Sequence, residues 1–377
     1  MKSQTIAVNT RFLLANRLEG IGRFSTETLR LITQQHPEHQ FVFLFDRPYS
    51  NEFLFADNIT PKVVFPPTRH PLLWYWWFEQ SVPRALQQCK ANVFVSPDGY
   101  CSLSATTPTL MVVHDLAFEH FPEQVPFLAR HYYQHFSPKY AHRAQRLATV
   151  SEYTKNDLVQ RYKVSPNKID IVYNGVTDGY TPLNSQQKTH IKQQYANGAD
   201  YFLFVGAIHP RKNLANILRA FDQFKQQNTD RPIKMLIAGR KAWHSQDAFD
   251  AYEAMTFKAD VVFVGHLQVT ELSKIVAAAT AMVYASLFEG FGIPIIEAMQ
   301  CHTPVITANV SSMPEVAGSA ALLVNPHQPT DIAQAMQQIY HNPNLQKQLI
   351  EQGAKQVQKF TWQNSANQLW AAIEKLL

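Results

Sequence analysis

Short apolar segments rich in β-branched residues alternate along the chain with longer segments whose apolar positions have helical spacing. This alternation is typical of βαβ units, in which helices cover both faces of a parallel sheet. In the first half, strands are predicted at residues 5–8, 41–45, 93–95, 110–113, 147–150 and 169–172. In the second half, they are predicted at residues 202–205, 234–238, 261–264, 281–284 and 304–307. The pattern therefore predicts an α/β protein with two doubly wound parallel sheets.

A turn-rich segment separates the two halves. Residues 174–184 are rich in glycine, asparagine and threonine, and a polar helix is predicted to follow at residues 185–195. Because 377 residues exceed the size at which a single hydrophobic core stops growing, two domains are expected. We assign residues 1–180 to the first domain, residues 181–360 to the second and residues 361–377 to a C-terminal helix.

Composition and charge exclude several classes of protein. The formal net charge is +5 without a long basic run, so nucleic acid is not expected as a partner. An anionic substrate and an anionic membrane surface both remain open as partners of a protein with this charge. Cys89, Cys101 and Cys301 form no CxxC pair, which argues against a disulfide framework or a zinc site and favours reduced thiols. Residues 1–9 lack the pattern of a signal peptide, and no apolar run approaches the roughly 20 residues that cross a bilayer. The expected location is the cytoplasm, with peripheral contact at the cytoplasmic face of a membrane left open.

The most specific chemical pattern is the segment 288–299, whose sequence is FEGFGIPIIEAM. Pro294 fits the first helical position and predicts a glycine turn before the helix. Amides at a helix start, together with the helix dipole, attract an anion such as a diphosphate. Glu289 in the loop and Glu297 one turn into the helix can accept hydrogen bonds from the hydroxyls of a ribose and a hexose. Taken singly, Glu297 is equally explained as a carboxylate favoured by the helix dipole, and Glu289 as a solvated loop residue.

The Glu-x7-Glu spacing with this intervening sequence resembles the retaining glycosyltransferases of family 4, which have the GT-B fold. The resemblance implies two Rossmann-like domains that face each other across a cleft, with the C-terminal helix crossing back to the first domain. It also implies that Glu289 contacts the sugar of a nucleoside-diphosphate donor and that Glu297 contacts the ribose. The backbone groups that would hold phosphate and sugar belong to Gly290, Phe291 and Gly292. The segment 309–315, NVSSMPE, is similar to bacterial mannosyltransferases of surface polysaccharide assembly.

Two adjacent cations follow the first strand of the second half. Arg211 and Lys212 lie at the turn between this strand and a predicted helix. Arginine offers a planar fork and lysine a mobile point charge, so the two can neutralise a leaving nucleoside diphosphate without a metal. With Gly206 they resemble the family's Gly…Arg-Lys-Asn motif, although an Arg-Lys pair alone is also common on solvated surfaces. By the same resemblance, the turns after the next two strands would wall the nucleobase, unless they are plain loops; their residues are Gly239, His266 and Leu267.

A histidine ends a buried strand of the first half. The predicted strand at residues 110–113 is followed by His114 and Asp115. The family often has a His-Asp pair at this strand end, where the histidine contacts the donor sugar near the reacting centre. The alternative is a structural histidine bonded to Asp115 or to the backbone.

Gly20 and Gly22 precede the first predicted helix. They resemble the family's amino-terminal glycine-rich loop, in which backbone amides approach the diphosphate and the acceptor. We reject a dinucleotide-binding fingerprint, since residues 9–19 separate these glycines from the first strand and Ser25 stands where the third glycine would be.

An aromatic cluster, Trp74-Tyr75-Trp76-Trp77-Phe78, follows residues 70–73. Large amphipathic rings favour the interface between water and lipid, and they also stack on sugars. Packing in the core of the first domain, contact with the acceptor and contact with a membrane therefore all remain open for this cluster.

The reaction implied by the resemblance is the retaining transfer of a hexose, such as mannose, from a GDP- or UDP-linked sugar to a hydroxyl of a glycan or lipid-linked glycan. The acceptor hydroxyl attacks from the side of the leaving group, and the departing phosphate takes its proton. No cofactor is expected, and no Asp-x-Asp pattern for a catalytic metal is present. The residues expected to carry catalysis are His114, Arg211, Lys212 and Glu289. Alternatives are a non-catalytic nucleotide-sugar-binding scaffold of a membrane-associated complex and a GT-B glycosyl phosphorylase.

Overall fold

The computed structural model describes residues 3–15, 18, 20–240 and 246–377. Contacts divide the chain into two compact units, one formed by Met1–Gly175 with Trp362–Leu377 and the other by Val176–Thr361. We call these the first and second units. The division falls after Gly175 and not after residue 180, because Val176 N donates to Phe360 O at 3.1 Å, within the second unit.

The first unit contains a seven-stranded sheet with the order β3-β2-β1-β4-β5-β6-β7, in which neighbouring strands are parallel. The strands are β1 Thr5–Asn9, β2 Gln40–Phe45, β3 Ile59–Val63, β4 Val93–Ser96, β5 Thr109–Val113, β6 Arg146–Thr149 and β7 Ile169–Ile171. The helices that precede the division are α1 Gly20–Gln35, α2 Pro71–Trp76, α3 Val82–Gln88, α4 Ala117–His120, α5 Phe127–Arg143 and α6 Glu152–Tyr162.

The second unit contains a six-stranded parallel sheet with the order β10-β9-β8-β11-β12-β13. The strands are β8 Asp200–Val205, β9 Ile233–Ala238, β10 Val261–Gly265, β11 Ala281–Tyr284, β12 Val305–Ala308 and β13 Ala321–Val324. The helices are α7 Ser185–Ala196, α8 Leu214–Gln226, α9 Gln246–Glu253, α10 Val269–Ala278, α11 Ile293–Gln300, α12 Met313–Ala317, α13 Pro329–His341 and α14 Pro343–Gln356.

The two parallel sheets confirm the predicted α/β class, and each predicted strand overlaps an observed one. Strands β4, β5, β11 and β12 are buried along their whole length, as expected for parallel strands with helices on both faces. Strands β3 and β13 were not predicted; each lies at one edge of its sheet, whereas β7 and β10, at the opposite edges, were predicted. Strand β3 contains Pro61, which lacks an amide to donate and is tolerated at an edge.

The C-terminal helix α15, Trp362–Glu374, packs against α1 within the first unit. The imidazole of His36 stacks on the indole of Trp370 with 3.6 Å between ring centroids. A Cβ atom at Gly175 would lie 2.4 Å from the backbone nitrogen of Trp362, so only glycine allows the two chain segments to approach this closely. The end of the chain is therefore part of the first unit's core.

Candidate functional site

The loop at residues 288–292 leads directly into helix α11. Gly292, the residue before the helix, has φ of 104°, a left-handed conformation that favours glycine. The helix begins at Ile293, so Pro294 is its second residue and not the first as predicted. Amides at both positions lack an intrahelical acceptor, and proline costs no backbone bond at either. The glycine turn and the helix start that the sequence predicts are thus present.

Two serines of the segment 309–315 hold this loop. Ser311 Oγ accepts a hydrogen bond from Glu289 N at 3.1 Å. Ser312 Oγ, which is fully buried, lies 2.9 Å from the carbonyl oxygens of Glu289 and Phe291 and donates to them. The serines therefore fix the backbone on both sides of Gly290 and orient the Glu289 side chain.

Glu289 forms a buried ion pair with Lys212. Only 7% of Glu289 is exposed, and Lys212 Nζ donates to its Oε1 at 2.6 Å. Lys212 Nζ also donates to the Tyr284 hydroxyl at 2.9 Å. Arg211 Nη1 lies 3.9 Å from Glu289 Oε2 and donates to Phe288 O at 3.3 Å. Two cations beside one carboxylate leave an excess positive charge, which suits an anionic ligand.

The surroundings of Glu289 keep its carboxylate ionised. Burial alone raises the pKa of a carboxyl, but the charges of Lys212 and Arg211 and the hydrogen bond from Lys212 outweigh it and hold the pKa of Glu289 below its ordinary value. Burial raises the pKa of Tyr284 well above its ordinary value, so its hydroxyl stays protonated. Lys212 is thus held between a charged acceptor and a neutral one.

The depressed pKa of Glu289 predicts a loss of stability in acid. A carboxyl with a lowered folded-state pKa stabilises the native protein above its unfolded pKa, and this contribution is lost as pH falls through the folded-state pKa. We expect the melting temperature of the wild type to fall more steeply below about pH 4.5, the ordinary value for this group, than that of Glu289→Gln. Glu351→Gln, at an exposed carboxylate, is the matched control and should follow the wild type. Parallel curves for Glu289→Gln and the wild type, measured by thermal denaturation from pH 7 to pH 3, would contradict this expectation.

Asn213 anchors the turn that carries Arg211 and Lys212. It has φ of 60°, a conformation that asparagine tolerates better than most residues, and is 6% exposed. Its Nδ2 donates to Ala285 O at 2.9 Å and to Pro326 O at 2.6 Å. Leu287 N donates to the carbonyl of Arg211 at 2.8 Å. The turn after β8 and the loop after β11 are therefore bonded to each other.

The second carboxylate, Glu297, lies on α11 and is 9% exposed. Thr177 Oγ1, near the start of the second unit, donates to Glu297 Oε1 at 2.6 Å. A hydroxyl donor stabilises the charged form of a carboxylate. Thr177 therefore holds one oxygen of Glu297.

Glycines occupy the carboxyl ends of three neighbouring strands in the second unit. Gly206 N donates to Ala238 O at 2.9 Å, and Gly239 N donates to Gly265 O at 2.8 Å. A Cβ atom at Gly239 would lie 1.8 Å from the carbonyl oxygen of Gly206, so these turns are in direct contact. After the third turn, His266 is exposed and Leu267 is half-buried. Ligands of doubly wound sheets bind at this edge.

In the first unit, His114 follows strand β5. Its Nε2 lies 2.8 Å from the carbonyl oxygen of Pro97, which accepts only, so Nε2 carries the proton. Phe24 of α1 contacts the imidazole edge-on, with 5.1 Å between centroids. Burial lowers the pKa of His114, so the imidazole is neutral near pH 7 and Nδ1 has an acceptor lone pair. A neutral imidazole of this tautomer can accept a hydrogen bond from a sugar hydroxyl.

Gly20 and Gly22 do not form the loop that the sequence predicts. Both lie in the first turn of helix α1, which begins at Gly20. A Cβ atom at Gly22 would lie 2.8 Å from the carbonyl oxygen of Phe12, whereas one at Gly20 would meet nothing within 4 Å. Gly22 therefore allows helix α1 to approach the backbone of residue 12, and helix formation overrides the loop expected from two glycines.

Comparison with protein families gives two matches that together span most of the chain. The Glycosyltransferase Family 4 model matches residues 19–179, and the model for glycosyl transferases group 1 matches residues 185–356. The chain belongs to the family 4 glycosyltransferases. A relative, O-antigen chain mannosyltransferase B of Escherichia coli, is 26% identical over 95% of this chain and 97% of its own. O-antigen chain mannosyltransferase RfbU of Salmonella typhimurium is 28% identical over 73% of this chain and 72% of its own.

A solved structure of the Anabaena protein HepE, in complex with UDP and glucose, superimposes with a TM-score of 0.75. The match covers 99% of each chain at 14% identity, which is evidence for the fold alone. This glycosyltransferase therefore has the GT-B fold that its sequence motifs implied.

The structure of the glycosyltransferase adds residues that its sequence did not single out. Tyr284 and Thr177 bond directly to the side chains of Lys212 and Glu297. Ser312 bonds to the backbone of Glu289, and Asn213 bonds to the backbone of Ala285 and Pro326. Tyr284 ends strand β11, so its position at a strand end was a usable signal, whereas Thr177 is brought to Glu297 only by the tertiary fold. Of the predicted catalytic residues, Arg211, Lys212 and Glu289 lie together in the second unit, and His114 belongs to the first. Among the described residues, no group of three or more His, Cys, Asp or Glu side chains is placed to hold a metal ion.

Proposed function

We propose that this glycosyltransferase moves a hexose, mannose or a similar sugar, from a nucleoside-diphosphate donor to a hydroxyl of a glycan or lipid-linked glycan, with retention of the anomeric configuration. The observation that carries the proposal is the Lys212–Glu289 ion pair beside the glycine turn that opens α11. The relatives from E. coli and Salmonella, which are O-antigen mannosyltransferases, favour mannose and a role in surface polysaccharide biosynthesis.

The second unit is the proposed donor-binding domain. Arg211 and Lys212 would stabilise the charge that grows on the departing diphosphate, and the amides at the start of α11 would contact its oxygens. Glu297, held by Thr177, would accept from the ribose hydroxyls. The backbone that would approach the donor closely belongs to Gly206, Gly290, Phe291 and Gly292. The turns expected near the base contain Gly239, His266 and Leu267.

The first unit is the proposed acceptor-side domain. The neutral His114 would accept a hydrogen bond from the transferred sugar, and the first turn of α1, with Gly20 and Gly22, would lie near the diphosphate and the acceptor. The acceptor oxygen would attack the anomeric carbon on the face of the leaving group, the bond to the diphosphate would break, and the phosphate oxygen would take the acceptor proton. The proposed reaction requires neither metal nor cofactor. We place the enzyme in the cytoplasm.

Metal-free calorimetric titration with UDP, GDP and ADP tests the donor site. We expect one nucleotide to bind, and Glu297→Ala to weaken its binding roughly tenfold or more, since hydrogen bonds to a charged group contribute about 1.5–3 kcal/mol. Glu351→Ala, at an exposed carboxylate, is the matched control. Absence of binding by all three nucleotides to folded protein would overturn the proposal.

Turnover separates the enzyme from its alternatives. Transfer of labelled sugar from the matching donor to a mannose-terminated glycan supports a transferase, and nuclear magnetic resonance of the product gives the anomeric configuration. Nucleotide-sugar binding without transfer to any acceptor supports a scaffold. Formation of a glycosyl phosphate from orthophosphate supports a phosphorylase.

A further inference from the structure

The aromatic cluster at residues 74–78 is only partly buried. Trp77 and Phe78 are fully buried, and Trp77 Nε1 donates to Val64 O at 2.8 Å. Trp74 is half-buried and stacks on Tyr133 with 5.7 Å between centroids. Tyr75 and Trp76 are 47% and 53% exposed. Core packing therefore accounts for Trp74, Trp77 and Phe78, but not for the two rings that face solvent.

These rings belong to a larger exposed apolar surface in the first unit. On α2, Leu72 is 74% exposed, and it shares a helix face with Tyr75 and Trp76, three and four residues further on. Helix α5 lies beside α2, since Tyr75 contacts Phe136 with 5.6 Å between centroids. Its first turn exposes further apolar side chains, of Phe127 and Leu128. We call this the α2–α5 surface, defined by Leu72, Leu73, Tyr75, Trp76, Phe127 and Leu128. Exposed groups of this size mark contact sites in soluble proteins.

The charged side chains of residues 59–78 and of helix α5 are all basic, and the exposed carboxylate of Glu123 lies before the first turn of α5. Residues 59–78 contain no Asp, Glu, Asn or Gln, but include Arg69, which is exposed. Helix α5 contains no Asp or Glu, and its basic residues include Arg130 and the exposed Lys139. Basic side chains around exposed tryptophan and leucine attract anionic lipid headgroups while the apolar groups enter the boundary with the acyl chains.

Two other occupants fit this surface less well. Carboxylates and amides are common partners of sugar hydroxyls, and residues 59–78 contain neither side chain, while Leu72 and Leu128 present only hydrocarbon. A second copy of the chain would bring two basic surfaces together, which costs electrostatic free energy.

We propose that the α2–α5 surface binds the interface of a bilayer that contains anionic lipid. The inference rests on the proposed function, because a lipid-linked acceptor would be held at that interface. No helix within the described residues is long and apolar enough to cross a membrane. Trp76 and Leu72 enter the interfacial region, and Arg69, Arg130 and Lys139 lie near the headgroups.

Sedimentation with vesicles tests the proposal on the full chain. The probes are vesicles of phosphatidylcholine alone and of phosphatidylcholine with phosphatidylglycerol. We expect binding to the anionic vesicles that weakens as salt screens the basic side chains. Leu72→Ser/Trp76→Ser should bind roughly tenfold less, since about 1.4 kcal/mol of lost apolar burial corresponds to a factor of ten. Leu323→Ser, at a leucine of the second unit that is 45% exposed, is the matched control and should bind like the wild type.

Nucleotide titration of the same proteins separates the two proposals. The double variant should bind nucleotide like the wild type, because its substitutions are exposed and lie in the first unit. Nucleotide binding without vesicle binding by the wild type would overturn the docking surface and leave the transferase standing. Vesicle binding without nucleotide binding by the wild type would overturn the transferase and leave the docking surface standing. Equal vesicle binding by the double variant and the wild type would overturn the surface, as would a wild-type dimer that the double variant abolishes.

Discussion

Replacing Lys212 by methionine is expected to lower kcat by about 100- to 1000-fold, the usual effect of removing one group that stabilises charge in a transition state. Lys212 Nζ lies 2.6 Å from Glu289 Oε1, and in the proposed reaction it also stabilises the leaving diphosphate. Methionine keeps the length of the side chain while removing its charge. Steady-state transfer of labelled sugar gives kcat and KM separately, and the loss should fall mainly on kcat.

Two further variants show whether the loss of kcat comes from catalysis or from destabilisation of the fold. Lys347→Met, at an exposed lysine, should leave kcat unchanged. Lys212→Met also leaves Glu289 buried without its principal cation, which destabilises the fold. The double variant Lys212→Met/Glu289→Gln removes that unpaired charge, so it should melt at a higher temperature than the single variant and still be inactive. A double variant with near wild-type kcat would refute the role of Lys212.

Gly239→Ala is expected to destabilise the protein by roughly 1–3 kcal/mol or more, as overpacking of a close contact does. The added methyl group would lie 1.8 Å from the carbonyl oxygen of Gly206, and backbone on both sides must move. For a domain of this size the melting temperature falls by about 2–4 °C per kcal/mol. Gly20→Ala is the matched control, since its methyl group would meet nothing within 4 Å and alanine favours the helix. Equal melting temperatures for the two variants in thermal denaturation would contradict the expectation.

The strands whose sequence is continuous and apolar were predictable from the sequence, because parallel strands buried on both faces allow few polar residues. Two of the four edge strands, β3 and β13, were not predicted. Strand β3 has the sequence ITPKV, in which a proline and a lysine interrupt the apolar run, and its pairing with β2 exists only once the sheet has formed. Strand β13 has the apolar sequence ALLV with one β-branched residue, and so short a run is not distinguished from a helix segment by its periodicity.

The same distinction applies to the candidate site. The glycine turn before α11 was predictable because glycine and proline restrict the local backbone. The Lys212–Glu289 pair was not predicted, since the sequence suggested that each side chain contacts a ligand, and the contact joins residues 77 positions apart in the chain. At Gly20 and Gly22 the predicted loop was wrong, because helix α1 begins at Gly20 and includes both glycines.

The close approach of Gly175 to Trp362 makes the second unit an inserted domain. Its two ends meet, since Val176 N donates to Phe360 O, and the chain of the first unit is interrupted at a single point. Deleting residues 176–361 and joining Gly175 directly to Trp362 would therefore close the first unit without a spacer. A truncation at residue 180, by contrast, would remove Thr177 from the excised donor half and leave Glu297 without that hydrogen bond.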